Sequence, residues 1–539
     1  MWRNSGIVPE FDVELINASQ ADSRSWRSYI NLFRADISIA LLRFYKGTGL
    51  MQKFYITTPL YYVNDKPHIG HAFATVTADI MARWHRLNGE KVFFLTGTDE
   101  HGEKNQKAAD AKGMTPQQYV DGLADIYKGV WKDLNISYDG FVRTSSPAHE
   151  EAASRFVELM NKSGDIYKGE YEGWYCIPDE TFFTDLQLVD GRCPDCGREV
   201  KKVKEESYFF KLSKYQQRLL DHYASHPQFL SPELRADEIK NRVKAGLKDL
   251  SITRAAIKWG VPFPLDKSRT VYVWVEALVG YLSGIGWRST ESEALWPADT
   301  HLVGKEINWF HAVIWPAMLM SAGLQIPKRI FAHGWWTVDG KKMSKSVGNV
   351  VDPVEMVRKY SADTFRYFLI REKPISEDGD FSEKAMVTRI NGELVADLGN
   401  LVSRTLTLTG RFNGPIAGRP ELESHLRLDK ITERMDRFDP FGALEEIWSF
   451  VRASNKYVNE KAPWKLEGSE LSNSLYNLLE SCRILSILVS PYMPETSEKL
   501  NAQLGVKAGT LKDCRFVEWK GNVVKGEHLF RKVETTQTS

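Results

Sequence analysis

Apolar and polar positions follow two different patterns from about residue 51 onwards. Residues 54–58 (Phe-Tyr-Ile-Thr-Thr) are β-branched and aromatic, which predicts a strand. Further on, apolar side chains recur at three- and four-residue spacing, which predicts one face of a helix: Phe73, Val76, Ile80, Trp84 and Leu87. The chain therefore predicts a strand-turn-helix unit here.

The turn of this unit contains the motif His68-Ile69-Gly70-His71. Helix N-termini at strand ends bind phosphates, because free N–H groups and the helix dipole are directed there. His68 and His71, three residues apart, can donate to phosphate oxygens from one face, and Gly70 allows close approach of a ligand. The alternative is an ordinary polar turn at the surface.

A second apolar run, residues 92–95, predicts a parallel strand that is buried on both faces. It leads into residues 96–102 (Thr-Gly-Thr-Asp-Glu-His-Gly), at the strand end where α/β sheets place their ligands. Asp99 is a candidate for holding an amino group. A helix N-cap is an equally good interpretation from the residues alone.

Three later segments complete the predicted framework. Residues 271–275 predict a further strand, and residues 301–306 another strand end. Residues 307–316 predict a helix dense in aromatic side chains, some of which could line an apolar pocket. From about residue 387 the apolar periodicity is wholly helical.

The cysteines predict a metal knuckle. Cys193 and Cys196 enclose a Pro-Asp pair and are followed by Gly197, which is typical of a tight turn around zinc. Cys176 is the natural third ligand, and Asp179 occupies the position where a fourth cysteine is expected. The alternative is a metal-free relic of such a site.

Length and composition narrow the class of protein. A chain of 539 residues predicts several domains, and its net charge of +1 gives no global basic field, so a nucleic acid would meet local patches. No apolar run is long enough for a membrane span. Five cysteines make no disulfide framework, which favours a reducing cytoplasmic setting.

Residues 1–50 differ in character from the rest of the chain. Their acidic residues argue against a transit peptide, and Met51 stands directly before the first predicted strand. We interpret them as an N-terminal extension upstream of the true start, with a real accessory helix as the alternative.

A basic loop far downstream forms a second motif that makes the histidine motif more specific. Lys342-Met343-Ser344-Lys345-Ser346 follows the strand-like residues 329–333. In this order the two motifs resemble the paired signatures of class I aminoacyl-tRNA synthetases. Residues 62–71, 97–102, 272–277, 304–306, 310–311 and 459–464 narrow the match, because they look like those of the methionyl-tRNA synthetases over about residues 51–520.

This resemblance implies a domain plan. A Rossmann-like α/β catalytic domain at 51–164 and 266–340 would be split by an inserted zinc-knuckle domain at 165–265. A stem-contact segment with the Lys-Met-Ser-Lys-Ser loop would follow at 341–386, and an all-α anticodon-binding bundle with its tail at 387–539. The absence of an apparent C-terminal dimerisation module predicts a monomer.

The resemblance also implies roles for individual residues. Catalysis would rest on His68, His71, Lys342 and Lys345, with ATP held by His68, Gly70, His71, Gly304, Glu306 and Lys345. The methionine pocket would comprise Leu60, Tyr62, Asp99, Trp274, Ala277, Tyr281, Ile307, His311 and Trp315. Asn400, Arg404 and Trp464 would read the CAU anticodon. Glu276 and Leu278 differ from the Asp and Pro of some relatives. Asp179 departs from the fuller zinc site of the family.

The expected function is that of a methionine–tRNA ligase. Methionine and ATP would give methionyl-adenylate and pyrophosphate, and methionine would then pass to the 3′ end of tRNA(Met), including the initiator. Mg²⁺ would accompany ATP, and one structural Zn²⁺ is expected per chain. The residues alone favour a Trp464 that packs between helices, and only the resemblance favours stacking on a base.

Three rival functions fit the sequence less well. Enzymes for Leu, Ile or Val carry a large editing insertion, for which the segment between the two signatures leaves little room. A cysteine-specific enzyme would hold zinc in its pocket, whereas these cysteines fall in the insert. A catalytically dead tRNA-binding scaffold would have no need of His68, His71 and Lys345.

Overall fold

The computed structural model describes residues 52–63, 65–177, 181–183, 188–194, 197–255, 257–338, 340–342, 349–524 and 526–534. The predicted extension, residues 1–50, lies outside this part of the chain. Lys53–Ser539 forms one compact unit of the fold.

A six-stranded parallel sheet is the centre of this unit. Its strands, in chain order, are β1 (Lys53–Tyr62), β2 (Lys91–Asp99), β3 (Gly140–Arg143), the short edge strand Leu230–Ser231, and then Thr300–Gly304 and Ile330–His333. In space Thr300–Gly304 pairs with β1, and Ile330–His333 lies between it and the edge strand. The apolar runs at 54–58 and 92–95 are therefore parallel strands as predicted, and β1 is buried along most of its length.

The predicted helix after β1 is present as Ile69–Leu87, here called the signature helix. It buries a broad apolar face, including Phe73, Val76 and Ile80. The strand predicted at 271–275 is wrong beyond Val271, because a helix, Val273–Ser283, starts there. This helix, here called the pocket helix, is buried on nearly every side, so its apolar run has no polar face to reveal a helical period.

Between β3 and the strand Thr300–Gly304 the chain builds a separate antiparallel sheet. Its four strands are Ile166–Cys176, Thr181–Phe183, Lys201–Phe210 and Leu250–Ser251. The edge strand Leu230–Ser231 of the central sheet comes from the same stretch of sequence. After the last central strand, Trp336–Val338, Lys341–Lys342 and Gly379–Asp380 form a small three-stranded sheet.

The remaining helices cover the central sheet and continue into a helical C-terminal region. Before residue 330 they are Glu103–Asp110, Pro116–Asp133, Pro147–Lys162, Gln216–Ser225, Glu233–Lys244, Thr290–Leu295 and Trp315–Ala322; after it they are Pro353–Tyr360, Ala362–Arg371, Glu383–Arg389, Asn400–Thr409, Leu428–Asp436, Pro440–Lys461, Gly468–Val489 and Pro494–Leu504. Phe310–Ile314 and Ile390–Gly399 are π-helical. The Rossmann-like parallel sheet and the helical C-terminal region are thus confirmed. Among the helices that the structure describes, none has both the length and the apolar character needed to cross a membrane.

Candidate active site

The two signature histidines lie together at the N-terminus of the signature helix. His68 is the N-cap residue, and its Nδ1 accepts the backbone N–H of Gly70 at 3.0 Å. The Nδ1 of His71 accepts the backbone N–H of His68 at 3.1 Å, and the two rings are 4.0 Å apart. Since each Nδ1 accepts a hydrogen bond, each neutral ring carries its proton on Nε2.

This arrangement prepares the pair as hydrogen-bond donors. Burial lowers the pKa of His71 well below its usual range, so its ring stays neutral at pH 7. Gly70 is required by the close packing, because a Cβ there would lie 2.8 Å from Cε1 of His68. Two Nε2–H groups at a helix N-terminus suit phosphate oxygens.

A small pocket lies at the carboxyl ends of the central strands. Its lining consists of Pro59, Leu60, Asp99, Trp274, Ala277, Leu278, Tyr281, Ile307 and His311. Seven of the nine residues predicted to bind methionine are in this set. The structure thus brings together side chains from β1, β2, the pocket helix and the turn after Thr300–Gly304.

Two predicted pocket residues are not among the lining side chains. Trp315 is fully buried behind the pocket, where its Nε1 approaches Nε2 of His301 at 3.3 Å. Tyr62 pairs with Asp99 across the β1–β2 register. Conversely, sequence reasoning did not assign Pro59 to the pocket, although it directly precedes Leu60, where the β1–β2 register shifts.

A hydrogen-bonded pair gives the apolar pocket its polar end. Nδ1 of His311 lies 3.0 Å from the carbonyl oxygen of Ile307, and its Nε2 lies 2.7 Å from the hydroxyl of Tyr281. The carbonyl can only accept, so Nδ1 donates and Nε2 accepts from Tyr281. Burial lowers the pKa of His311 to about 4, which keeps the ring neutral. Trp274 stacks on Phe310 at 4.0 Å and closes the wall.

The predicted adenosine contacts follow the strand Thr300–Gly304. Gly304 ends the strand, and a Cβ there would lie 2.5 Å from Oε2 of Glu306. The same carboxylate oxygen accepts the Nε1–H of Trp335 at 2.6 Å. Glycine at position 304 therefore lets the Glu306 carboxylate fold back against the strand end.

The basic signature loop lies almost wholly outside the described residues. Lys341–Lys342 is a short strand that pairs with Trp336–Val338, which places the start of the loop in the small three-stranded sheet. Lys345 lies outside the described residues, and the structure describes only the backbone of Lys342.

Comparisons with known proteins identify the family of the chain. A family model described as "tRNA synthetases class I (M)" matches residues 54–205 and 198–406. The methionine–tRNA ligase of Caldanaerobacter subterraneus subsp. tengcongensis is 47% identical over 513 residues, which cover 90% of this chain and 80% of that protein. The chain belongs to the methionine–tRNA ligase family.

Further relatives support the family assignment. The methionine–tRNA ligase of Thermotoga maritima is 46% identical over 507 residues, or 89% of this chain and 80% of that protein. A solved structure of Mycobacterium tuberculosis methionyl-tRNA synthetase in complex with methionyl-adenylate is 39% identical, with a TM-score of 0.86. It covers 89% of this chain, and all of that chain is matched.

The residues predicted to read the anticodon lie in the helical C-terminal region. Arg404 lies on the helix Asn400–Thr409, one turn after the exposed Asn400. Its guanidinium is 5.4 Å from the centre of the Trp464 ring and donates to Oδ1 of Asn459 at 3.0 Å. Trp464 is 51% exposed, so it is not a Trp packed between helices.

Two of the four predicted zinc ligands can be located. Cys176 ends the strand Ile166–Cys176, and it is buried with Cys193 in a small cluster of their own, against Trp174, Leu188 and Val200. Cys196 and Asp179 lie outside the described residues. Within the part of the chain that the structure describes, no three metal-binding side chains come together.

Proposed function

We propose that this chain activates methionine with ATP and transfers the methionyl group to the 3′ end of tRNA(Met), including the initiator tRNA. The observation that carries this proposal is the pocket, in which seven of the predicted methionine-binding side chains meet at the carboxyl ends of strands such as β1, which leads into the His68–His71 turn. The Asp99 carboxylate suits the ammonium group of methionine, and the apolar wall suits its thioether chain. The neutral Tyr281–His311 pair at the polar end introduces no charge next to that chain.

Binding of methionine divides between two kinds of contact. Asp99, at the end of β2, pairs with the α-ammonium group, which holds the carboxylate of methionine towards the ATP site. The aromatic rings of Trp274 and Tyr281 contact the side chain, since sulfur–aromatic contacts are favourable. A longer or branched amino acid would have to displace these closely packed walls.

Adenylate formation follows from the positions of these groups. The carboxylate of methionine is already ionised at neutral pH, so it attacks the α-phosphorus of ATP in line without a general base. The bond to the bridging oxygen breaks, and pyrophosphate leaves with the electron pair. The Nε2–H groups of His68 and His71 donate to the phosphate oxygens as charge develops there. Mg²⁺ that accompanies ATP adds positive charge to the phosphates when bound.

Lys342 and Lys345 complete the proposal. A lysine ammonium group on the signature loop would stabilise the leaving pyrophosphate, because it is a compact positive charge. The 3′-terminal ribose hydroxyl of the tRNA then attacks the carbonyl carbon of the adenylate, and AMP leaves. At the other end of the chain, Asn400, Arg404 and Trp464 bind the anticodon, with Trp464 stacking on a base.

ATP–pyrophosphate exchange with each of the standard amino acids, measured without tRNA, tests the proposal. Exchange confined to methionine is expected. Exchange with another amino acid would preserve the mechanism and overturn the pocket assignment. Folded protein supplied with Mg²⁺ that exchanges with no amino acid would favour a tRNA-binding scaffold instead.

Zinc is a separate part of the proposal. The buried neighbourhood of Cys176 and Cys193 fits two thiolates of a structural site, and Cys196 and Asp179 are the proposed remaining ligands. Metal analysis should find about one zinc per chain. Cys193→Ser should lose the zinc. Wild-type protein without metal would show that the knuckle is a metal-free relic of a zinc site.

A monomeric state and a cytoplasmic location stay predictions, and light scattering tests the first of them.

A further inference from the structure

A buried carboxylate joined to two histidines lies behind the methionine pocket. Oε1 of Glu276 is 2.8 Å from Nδ1 of His101, and its Oε2 is 2.8 Å from Nε2 of His149. Nδ1 of His149 is in turn 2.8 Å from Oγ of Ser283. All three members of the Glu276 cluster (Glu276, His101 and His149) are at most 1% exposed.

The Glu276 cluster connects the elements that form opposite walls of the pocket. Glu276 lies on the pocket helix between Trp274 and Ala277, whose side chains line the pocket. His101 follows Asp99 by two residues, so its hydrogen bond ties the end of β2 to the pocket helix. The distance between the ammonium-binding carboxylate and the aromatic wall is therefore fixed through Glu276.

The third member supports the floor of the pocket. His149 belongs to the helix Pro147–Lys162, which packs along the pocket helix. A Cβ at Gly280 would lie 2.3 Å from Cδ1 of Leu60 and 3.8 Å from Cε1 of His149. Glycine at this position lets both side chains reach under the pocket, so His149 and the pocket residue Leu60 occupy one closely packed layer.

The Glu276 cluster is held by charge as well as by geometry. Burial opposes ionisation of His101, but the charge and hydrogen bond of Glu276, together with the charges of Glu150 and Glu100, raise the pKa of His101. Burial likewise opposes the Glu276 carboxylate, and the charge of His101 with the hydrogen bonds of both histidines lowers the pKa of Glu276. An ion pair in a dry environment is rigid, because breaking it leaves an uncompensated buried charge.

We infer that Glu276, held by His101 and His149, is a positioning residue that sets the separation between Asp99 and the Trp274–Ala277 wall for methionine. The inference rests on the proposed function of the same site. None of the three side chains lines the pocket. Their effect is therefore on the binding and alignment of methionine. The binding of ATP, which the proposed function assigns to other residues, should not change.

Two pairs of substitutions test whether the position of the hydrogen-bond donor to Glu276 matters, and not only its presence. The amide nitrogen of Asn lies near the place of Nδ1 in a histidine, and that of Gln near the place of Nε2. His101→Asn and His149→Gln therefore keep a donor where Glu276 accepts it, whereas His101→Gln and His149→Asn move it. Glu276→Gln removes one acceptor oxygen, and Glu276→Asp keeps both oxygens on a shorter chain.

The measurement is ATP–pyrophosphate exchange, with KM determined separately for methionine and for ATP. His101→Gln, His149→Asn and Glu276→Gln should raise the KM for methionine about tenfold or more, as expected for a small misplacement of a binding group. The KM for ATP should not change. The donor-keeping variants His101→Asn and His149→Gln should each have a methionine KM closer to the wild-type value than His101→Gln and His149→Asn have. Glu276→Asp, which withdraws both oxygens from the histidines, should raise the methionine KM as Glu276→Gln does.

A matched control is available at the far end of the signature helix. His85 makes a comparable contact there, with Nδ1 2.9 Å from Oε2 of Glu90. His85→Gln should leave both KM values as in wild type. Thermal melting of every variant identifies those that fail to fold, and the kinetics of the folded member of each pair then decide the question.

The possible failures can be told apart. Wild-type protein without methionine-dependent exchange would overturn the proposed function and this inference with it. Active wild type together with unchanged methionine KM in Glu276→Gln and His101→Gln would overturn the inference alone. Equal rises in the KM of methionine and of ATP, or equal effects of Asn and Gln at position 101, would reduce the Glu276 cluster to general packing.

Discussion

Burial keeps several histidine side chains neutral in the folded chain. It lowers the pKa of His222 and of His311 to about 4. The pKa values of His71, His301 and His333 are lowered in the same direction, with burial as the largest cause in each. His101 is the exception among these, because Glu276 raises its pKa. Because five of these six histidines have a lowered pKa in the fold, the unfolded chain binds more protons in mild acid than the folded chain does.

The free energy of unfolding should therefore fall as the pH falls. A histidine with a lowered pKa stays neutral in the fold while the unfolded chain becomes protonated below about pH 6.5, so stability is lost from there down to about pH 4. His222→Phe removes one such group, and Phe can pack on Phe229 as the imidazole does. Melting temperatures at several pH values should decline less steeply in this variant. An unchanged slope would show that His222 is not held neutral.

Lys345 carries the clearest single-residue prediction for the chemistry. Lys345→Ala should lower methionine-dependent ATP–pyrophosphate exchange about a hundredfold or more, because charge on the leaving pyrophosphate loses its partner. tRNA binding, measured by filter retention, should be spared. Lys520→Ala, at a side chain that is 79% exposed, is the control. Normal exchange in folded Lys345→Ala would remove the loop from the mechanism.

At the scale of elements, the sequence predicted what local periodicity can show. β1 has a β-branched and aromatic run, β2 a continuous apolar run and the signature helix a three-to-four-residue spacing, and all three elements are present. The pocket helix was mistaken for a strand because it is buried all round. The short strands Trp336–Val338 and Lys341–Lys342 have too few residues for a pattern and were missed. The Glu276 cluster joins residues from three separate elements, so no spacing in the sequence could predict it.

The end of the helix Pro440–Lys461 presents the other element-level prediction. The exposed Trp464 follows it directly, with Arg404 beside the ring. Trp464→Ala should raise the KM for tRNA roughly ten- to a hundredfold, the loss expected when one base no longer stacks on an aromatic side chain. The KM values for ATP and methionine should not change.

A tryptophan with a similar cation neighbour controls for loss of packing. Arg288 lies 5.1 Å from the ring centre of Trp287, on the catalytic side of the chain. Trp287→Ala should leave the KM for tRNA as in wild type. Equal tRNA charging by wild type and by Trp464→Ala would show that Trp464 does not contribute to tRNA binding.

At the scale of the whole molecule, one buried arginine joins the signature helix to the helical C-terminal region. Nη2 of Arg366 is 2.7 Å from Oδ2 of Asp79, and both side chains are fully buried. The guanidinium also donates to the carbonyl oxygens of Tyr492 at 3.0 Å and of Leu134 at 3.1 Å. Burial opposes the Asp79 carboxylate, but the charges of Arg366 and Arg83 lower its pKa, so it remains ionised.

Arg366→Met should therefore destabilise the fold by about 3–5 kcal/mol, because it leaves Asp79 buried with one fewer cation. Adding Asp79→Asn should restore part of that loss, and a double-mutant cycle on unfolding free energies measures the coupling between the two side chains. The exposed pair Arg434–Asp439, 3.1 Å apart, is the control, since Arg434→Met should cost less than about 1 kcal/mol. If Arg366→Met and Arg434→Met proved equally stable, the contact between the signature helix and the C-terminal helices would rest on apolar packing alone.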